Sequence, residues 1–543
     1  DTRSQSEHRD DAQPFQHAVS APRVLPTWPA RAPAGKPPGS TVCPARLPQQ
    51  TLPSSVTVNR KHVRTQGETV MKRNIAALSC VAALAASAAL ITSAAMAQTP
   101  PAKPASVKAT IDTGVLVGET VDGVNHFRGV PFAKAPIGDL RWKAPVKLDK
   151  WIGERAAIAF EPPCPQPVNI DQKTSNGGGV SGVQSEDCLY LNIYAPADAK
   201  NAPVVVWLYG GASFLGAGHL GSYNGTGNAK GGVITIPINY RLGSLGTFAH
   251  PALTKEGGNT GGFALMDAVA ALEWVKRNAA SFGGDPNNVT IAGQSAGAAM
   301  VVNLLSIPSA KGLYQKAMIE SGALLGPGTP LKTAEDNGVK AAAALGLPEN
   351  ATAAQLRSIS AQTIVANAAT QRGSTPPVDG RFKTTTTLDA LNAGTEIDVP
   401  VLIGSNSGEG GFDGARTIAK LAGDTGAGAW LYHFAYVPAF RKAEWTKGAI
   451  HSAEMMFTFD SIDTSSWGAS GAGKADANDR AVAKRVNSCW VAFFKMDPKA
   501  KSLTCADGFS WPAYTDANDD AAQFLDKPKL VKSKTIPNGP PAN

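Results

Sequence analysis

The sequence predicts an α/β protein in which helices cover both faces of a mostly parallel sheet. Apolar runs typical of buried strands alternate along the chain with segments of helical periodicity, and this alternation is typical of parallel sheets. Strands are predicted at 204–209, 233–240, 289–292, 317–320 and 399–404, and helices at 264–279, 333–345 and 475–496. The Gly/Ser-rich segments 168–184 and 463–473 indicate surface loops.

One predicted strand runs directly into a small-residue helix through a Gly-x-Ser-x-Gly pentapeptide, residues 293–297. A strand that turns sharply into a helix holds its turn residue in a strained conformation, and the flanking glycines let both elements approach closely. The hydroxyl of Ser295 therefore stands clear of the sheet, as in the nucleophile elbow of the α/β-hydrolase fold. In a chain with 55 glycines a chance match is the alternative, and the strand-turn-helix context argues against it.

A nucleophilic serine needs a base, and in α/β-hydrolases the base follows the serine in the chain. Of the eight histidines, only His433 and His451 follow Ser295. His433 lies inside an apolar run predicted as a strand, where a packed histidine is usual. His451 precedes a predicted helix in a loop, and loops carry catalytic residues more often. We therefore favour His451.

The base in turn needs an acid that orients it. Glu409 follows the predicted strand 399–404 immediately, and the carboxyl ends of parallel strands are where site residues collect. Asp379 and Asp398 precede that strand and are interpreted as turn residues. Glu409 is therefore the candidate acid.

Backbone N–H groups that stabilise an oxyanion complete such a site. Small residues follow the strand 204–209, and they allow close approach of the backbone. The candidate donors are the N–H groups of Gly211, Ala212 and Ala296. A glycine-rich turn can also hold phosphate, but neither nucleotide-binding glycine motif is present. No metal or cofactor is expected.

The formal charge of +8 does not indicate a nucleic-acid partner. Residues 1–97 hold 11 Lys/Arg and 5 Asp/Glu, so the remainder carries a net charge of only +2. No basic block interleaved with aromatic residues occurs in that remainder. The expected partner is a small molecule.

The first 97 residues divide at Met71. From there a basic segment, an Ala-rich apolar run and an Ala-x-Ala site ending at Ala97 predict a secretory signal peptide over 71–97. An N-terminal membrane anchor is the alternative, and no other stretch is apolar and long enough to span a membrane. We interpret 1–70 as upstream DNA translated through a misplaced start. The expected enzyme domain is 98–543, located in the periplasm or secreted.

Four cysteines remain in 98–543, and oxidising compartments favour disulfides. Three pairings are open, and proximity in sequence favours two of the bonds. Those two bonds are Cys164–Cys188 and Cys489–Cys505.

With these parts placed, the chain resembles the type-B carboxylesterases, which include para-nitrobenzyl esterases and cholinesterases. The resemblance covers nearly all of 98–543 and rests on segments 127–133, 185–192, 209–211, 239–243, 282–289 and 293–297. It implies an α/β-hydrolase fold, a triad, a supporting serine, a Cys164–Cys188 disulfide and one ion pair. The triad would be Ser295, Glu409 and His451, the supporting serine Ser321, and the ion pair Arg128–Glu186.

The chain also departs from the family pattern. Gln294 stands where relatives often have Glu, and the 164–188 loop lacks the cation-binding Trp of cholinesterases, so cholinesterase activity is not expected. Ala212 and Ser213 replace a Gly and a Phe beside the oxyanion site. His451 follows Glu409 by only 42 positions, which predicts a shortened helical cap and a more open pocket.

The sequence therefore predicts hydrolysis of carboxylic esters through an acyl-enzyme. Amide or carbamate hydrolysis by the same triad is one alternative. The other is a cholinesterase-like binding protein without catalysis, but such proteins usually lose the nucleophile, which this chain retains.

Overall fold

The computed structural model describes residues 104–167, 183–257, 261–373, 375–424, 426–465 and 474–540. The predicted signal peptide and the residues before it lie outside this part, as do most residues of the two predicted Gly/Ser-rich loops. The strands are β1 Ala105–Ile111, β2 Gly114–Val121, β3 Val124–Pro131, β4 Glu154–Ala156, β5 Tyr190–Pro196, β6 Ala202–Leu208, β7 Ile234–Pro237, β8 Gly284–Gln294, β9 Lys316–Glu320, β10 Thr329–Pro330, β11 Pro377–Val378, β12 Val401–Asn406, β13 Ala429–Phe434, β14 Ser502–Thr504, β15 Ser510–Pro512, β16 Asp520–Phe524 and β17 Lys529–Lys532.

The main sheet has the strand order β1-β2-β3-β5-β7-β6-β8-β9-β12-β13-β16-β17, with β4 beside β2. Along its N-terminal edge, β1, β2, β3, β5 and β7 pair antiparallel, and β4 pairs parallel with β2. From β7 to β16 each neighbouring pair is parallel. The predicted mostly parallel sheet is therefore confirmed, with an antiparallel extension at the N-terminal edge.

Helices follow the central strands, as expected for parallel connections. They are α1 Thr226–Lys230, α2 Gly243–Thr247, α3 Pro251–Gly257, α4 Phe263–Asn278, α5 Ala296–Leu304, α6 Leu331–Ala344, α7 Ala353–Ser358, α8 Ala361–Ala366, α9 Thr387–Ala393, α10 Phe412–Asp424, α11 Met455–Thr458 and α12 Ala477–Lys495. Every predicted strand and helix is present with boundaries shifted by a few residues. None of the described helices is both long and apolar enough to cross a membrane.

The apolar strand runs form the centre of the core. Trp207 on β6 and Ile291 on β8 are fully buried, and so is most of α4. One charged pair lies within this core, where the guanidinium of Arg241 binds the carboxylate of Asp267 on α4 with an N–O distance of 2.7 Å. This pair fixes the chain after β7 against α4.

The expected Arg128–Glu186 ion pair is wrong. Arg128 on β3 pairs with Glu119 on β2, because the strand register sets Glu119 opposite His126 and so brings Arg128 within diagonal reach. Glu186 instead accepts a hydrogen bond from Nε of Arg141 at 2.6 Å. Arg141 belongs to a loop that also donates to the carbonyl of Ile359.

Both expected disulfides are present. Cys164–Cys188 closes a loop of 24 positions beside β5, and Cys489–Cys505 joins α12 to the hairpin of β14 and β15. Each bond joins segments that are close in the chain, as the sequence spacing favoured.

Candidate active site

Ser295 occupies the sharp turn between β8 and α5. Its backbone has φ 56° and ψ −121°, a conformation that costs free energy for a residue with a side chain. The Ser295 N–H donates to the carbonyl of Glu320 at the end of β9, at 2.9 Å, which holds the turn in place. A Cβ at Gly297 would lie 2.0 Å from the Leu208 carbonyl oxygen, so only glycine fits there. The predicted strained turn is therefore present.

The structure brings together the three residues predicted as a triad. Ser295 Oγ lies 2.8 Å from His451 Nε2, and His451 Nδ1 is hydrogen-bonded to Glu409 Oε2. The other oxygen of Glu409 accepts the N–H of Asn406 at 2.8 Å. Because Asn406 ends β12, the sheet itself fixes the orientation of the acid. This geometry suits a serine whose proton passes to a histidine oriented by a carboxylate.

The rejected candidates have other partners. His433 lies in β13, where its Nδ1 is 3.2 Å from Nε2 of Gln523. Burial lowers the pKa of His433 to about 4, so its neutral form dominates. Asp379 accepts backbone N–H groups within its own turn, and Asp398 accepts the N–H of Ala427.

Of the predicted oxyanion donors, Gly211 and Ala212 line the same cavity as Ser295, and Ala296 follows Ser295 in the chain. Gly211 and Ala212 have φ of 121° and 52°, so the backbone after β6 turns in the left-handed region. A Cβ at Gly210 would lie 3.0 Å from Ser295 Cβ, which places this turn directly against the nucleophile. Ala296 is the first residue of α5, where backbone N–H groups lack helical partners. Their role as oxyanion donors stays a prediction.

Gln294 precedes the nucleophile and is buried. Its Nε2 lies 3.4 Å from Nε2 of His451. A neutral amide therefore stands beside the imidazole.

A second set of polar groups lies behind the triad and includes residues that the sequence did not single out. Ser321 Oγ donates to Glu454 Oε1 at 2.6 Å, and Asn406 Nδ2 donates to Glu454 Oε2. Glu320 accepts Trp490 Nε1 at 2.5 Å and Thr458 Oγ1 at 2.9 Å. Glu320 and Glu454 are fully buried. We call these two residues the buried carboxyl pair.

Burial raises the pKa values of both members of this pair, because each charge would lie in a water-poor region. A nearby negative charge adds to each rise: that of Glu454 acts on Glu320, and that of Glu409 acts on Glu454. For His451, burial opposes the charged form, but the hydrogen bond that its Nδ1–H donates to Glu409 and the negative charges of Glu409 and Glu454 outweigh this effect. The pKa of His451 is therefore raised above its ordinary value.

Comparison with known proteins identifies the family. The model of the carboxylesterase family matches residues 105–423. The chain belongs to the carboxylesterase family. A fumonisin B1 esterase of Sphingopyxis macrogoltabida is 32% identical over 438 residues, covering 69% of this chain and 79% of that protein. The para-nitrobenzyl esterase of Bacillus subtilis strain 168 is also 32% identical, over 473 residues, covering 75% and 92%.

Solved structures agree with this family assignment. A PNB esterase structure superposes with a TM-score of 0.69 at 27% identity, covering 79% of this chain and 97% of that one. The protein thus has the predicted α/β-hydrolase fold and is a carboxylic ester hydrolase.

Glu454 and Asn406 were missed because no short motif marks them. Glu454 comes three residues after His451, so the sequence gives a reason to consider it only after His451 has been chosen as the base. Asn406 belongs to the apolar strand that precedes Glu409, and its amide reaches Glu454 only through the tertiary fold.

Proposed function

We propose that Ser295 attacks the carbonyl carbon of a small-molecule carboxylic ester while His451 Nε2 accepts its proton. The same imidazole, now charged, gives the proton to the departing alcohol. A water molecule then attacks the acyl-enzyme, with His451 again as base, and releases the acid and the free serine. The observation that carries this proposal is the continuous hydrogen-bond chain Ser295–His451–Glu409.

Glu409 holds the imidazole with Nδ1 protonated, which leaves Nε2 free to accept the serine proton. The N–H groups of Gly211, Ala212 and Ala296 would donate to the oxygen that becomes negative in the tetrahedral intermediate. Each such donor typically lowers the barrier by about 3 kcal/mol. No step of this reaction requires a metal or cofactor.

The test is a panel of 4-nitrophenyl esters of increasing acyl length, assayed on the full chain and on Ser295→Ala. We expect Ser295→Ala to lose activity on the order of 10⁵-fold or more, because the triad acts as a unit. Ser358→Ala is the matched control and should keep wild-type rates, because Ser358 lies at an exposed helix end where its Oγ donates to the Gln355 carbonyl. Equal hydrolysis by wild type and Ser295→Ala would overturn the proposal.

We also propose that the protein is exported and cleaved after Ala97. The apolar run that follows Met71 supports export, and so do the two disulfides of the described part. Expression of the full chain with its own N-terminus should give a periplasmic or secreted product that begins at Gln98. Retention of residues 71–97 in the exported product would contradict the predicted cleavage.

A further inference from the structure

Two cavities meet at the turn that follows β6. The smaller one, about 300 Å³, is lined by Ser295 and His451. The larger one, about 600 Å³, is lined by Ala212 and Ala296, which lie on either side of the nucleophile, but not by His451. His451 must reach the oxygen of the departing alcohol to protonate it, so the alcohol part lies in the smaller cavity. The larger cavity therefore receives the acyl part.

The larger cavity has charges of one sign only. Among its described lining residues, Arg372 and Lys383 are charged and none is acidic. The other lining residues are small, apolar, amide or hydroxyl side chains. A purely hydrocarbon acyl chain would gain nothing from either cation.

Lys383 is almost completely buried, with 4% of its surface exposed. Its ammonium donates to Oδ1 of Asn303, which also lines the cavity. Within the described part of the chain, no carboxylate lies within 4.0 Å of that ammonium. The nearby Asp379 uses its carboxylate to accept backbone N–H groups instead. A buried cation without an ionic partner is costly, and the pKa of Lys383 is lowered by its loss of water.

Arg372 lies where the two cavities meet and lines both of them. It is exposed, and its guanidinium stacks over the ring of Phe214 at 4.7 Å from the ring centre. It too makes no salt bridge to any acid in the described segments. Because a guanidinium stays charged at all working pH values, its donors remain available to a carboxylate.

We propose that the larger cavity selects esters whose acyl group ends in a second carboxylate, that is, half esters of dicarboxylic acids. Lys383 and Asn303 would bind the distal carboxylate, and Arg372 would attract it at the entrance. The acyl-enzyme is then a half ester of the diacid, and water releases the free diacid after the alcohol has left. This inference rests on the proposed function and adds a substrate class to it.

The test compares two esters that differ only in the distal charge. One is the mono-4-nitrophenyl ester of succinic, glutaric or adipic acid, and the other is the same compound with its free carboxylate capped as a methyl ester. The readout is the ratio of kcat/KM for the anionic and capped esters, corrected for spontaneous hydrolysis. We expect the full chain to prefer the anionic ester of at least one length by roughly tenfold or more, as a charged hydrogen bond commonly provides.

Lys383→Met removes the charge and keeps an unbranched apolar side chain. It should reduce that ratio by roughly tenfold, mainly through KM. Lys332→Met removes one positive charge from an exposed helix position that does not line the cavity, and the ratio should stay at the wild-type value. A second experiment needs no variant. Free glutarate should inhibit hydrolysis of a capped ester competitively, whereas glutaramide should not.

A ratio near one in the wild type, or the same ratio in Lys383→Met, would overturn this inference while leaving ester hydrolysis by Ser295 intact. If instead neither ester is hydrolysed in a Ser295-dependent manner, the proposed function itself fails. If Lys383→Met does not fold, inhibition of the wild type by glutarate becomes the deciding measurement. Equal inhibition by glutarate and glutaramide would then count against the proposal.

Discussion

Three glutamates lie around Ser295 and His451, and they fall into two different environments. The Glu409 side chain is 12% exposed and hydrogen-bonds the imidazole, whose own side chain is 39% exposed toward the cavity. Glu320 and Glu454 form the buried carboxyl pair, with no exposed surface. One carboxylate therefore contacts the imidazole directly, whereas the two fully buried carboxyl groups do not.

The difference shows that the surroundings decide what a glutamate does. One carboxylate oxygen of Glu409 accepts the backbone N–H of Asn406, and the other is hydrogen-bonded to Nδ1 of His451. The buried carboxyl pair loses water on every side, so the pKa values of both groups rise. Glu454 still contacts Ser321 and Asn406 and adds negative potential at His451.

The first way to test this comparison is to neutralise Glu409. Glu409→Gln should lower kcat by about 10⁴-fold, because an amide cannot hold the imidazole in the required tautomer or stabilise its charged form. The measurement is the initial rate on a 4-nitrophenyl ester. Glu349→Gln, at an exposed position, is the control and should retain the wild-type rate. A loss of less than tenfold in Glu409→Gln would exclude Glu409 as the orienting acid.

Neutralising Glu454 should have a smaller and different effect. The reaction needs neutral His451, so kcat/KM rises as pH increases through the pKa of that group. Glu454→Gln removes negative charge near the imidazole and so lowers the pKa of His451. The acidic limb of the pH profile of kcat/KM should therefore move to lower pH by roughly 0.5–1 unit. Glu349→Gln, which removes one negative charge at an exposed position, is the matched control and should leave the limb unmoved. An unmoved limb in Glu454→Gln would show that Glu454 has only a structural role.

The smallest expected effect is that of Glu320 on how the thermal stability of the folded protein depends on pH. The folded-state pKa of Glu320 is raised by burial first and by Glu454 second. The unfolded chain therefore loses this proton at lower pH than the folded chain, and the stability contribution of Glu320 declines as pH rises from the ordinary glutamate value through the raised one. Wild-type Tm should fall between pH 5 and 9 by a few degrees more than the Tm of Glu320→Gln.

Melting curves recorded at several pH values would measure this difference. Parallel pH profiles of Tm for wild type and Glu320→Gln would show that Glu320 carries no extra proton in the folded enzyme.

The sequence predicted most of the fold and the three residues of the hydrogen-bond chain at the candidate site, Ser295, His451 and Glu409. Each central strand is a short apolar run, and the elbow motif dictates a strained turn, so both are local properties of the chain. His451 could be chosen because few histidines follow Ser295, and Glu409 because it follows a strand end. The Arg128–Glu186 ion pair was wrong because the strand register, which no local pattern reveals, gives Arg128 a nearer partner in Glu119.

The elbow, the triad residues and the family resemblance were determined by the sequence itself, since each depends on neighbouring residues or chain order. The tertiary structure decided which groups share a buried environment. Glu320 and Glu454 are 134 positions apart in the chain, yet the fold packs β9 against the segment after His451, so that the charge of Glu454 raises the pKa of Glu320. In the same way, Lys383 and Arg372 became cavity residues through folding. Burial and the pKa shifts it causes depend on everything that surrounds a group, and the chain assembles those surroundings only when it folds.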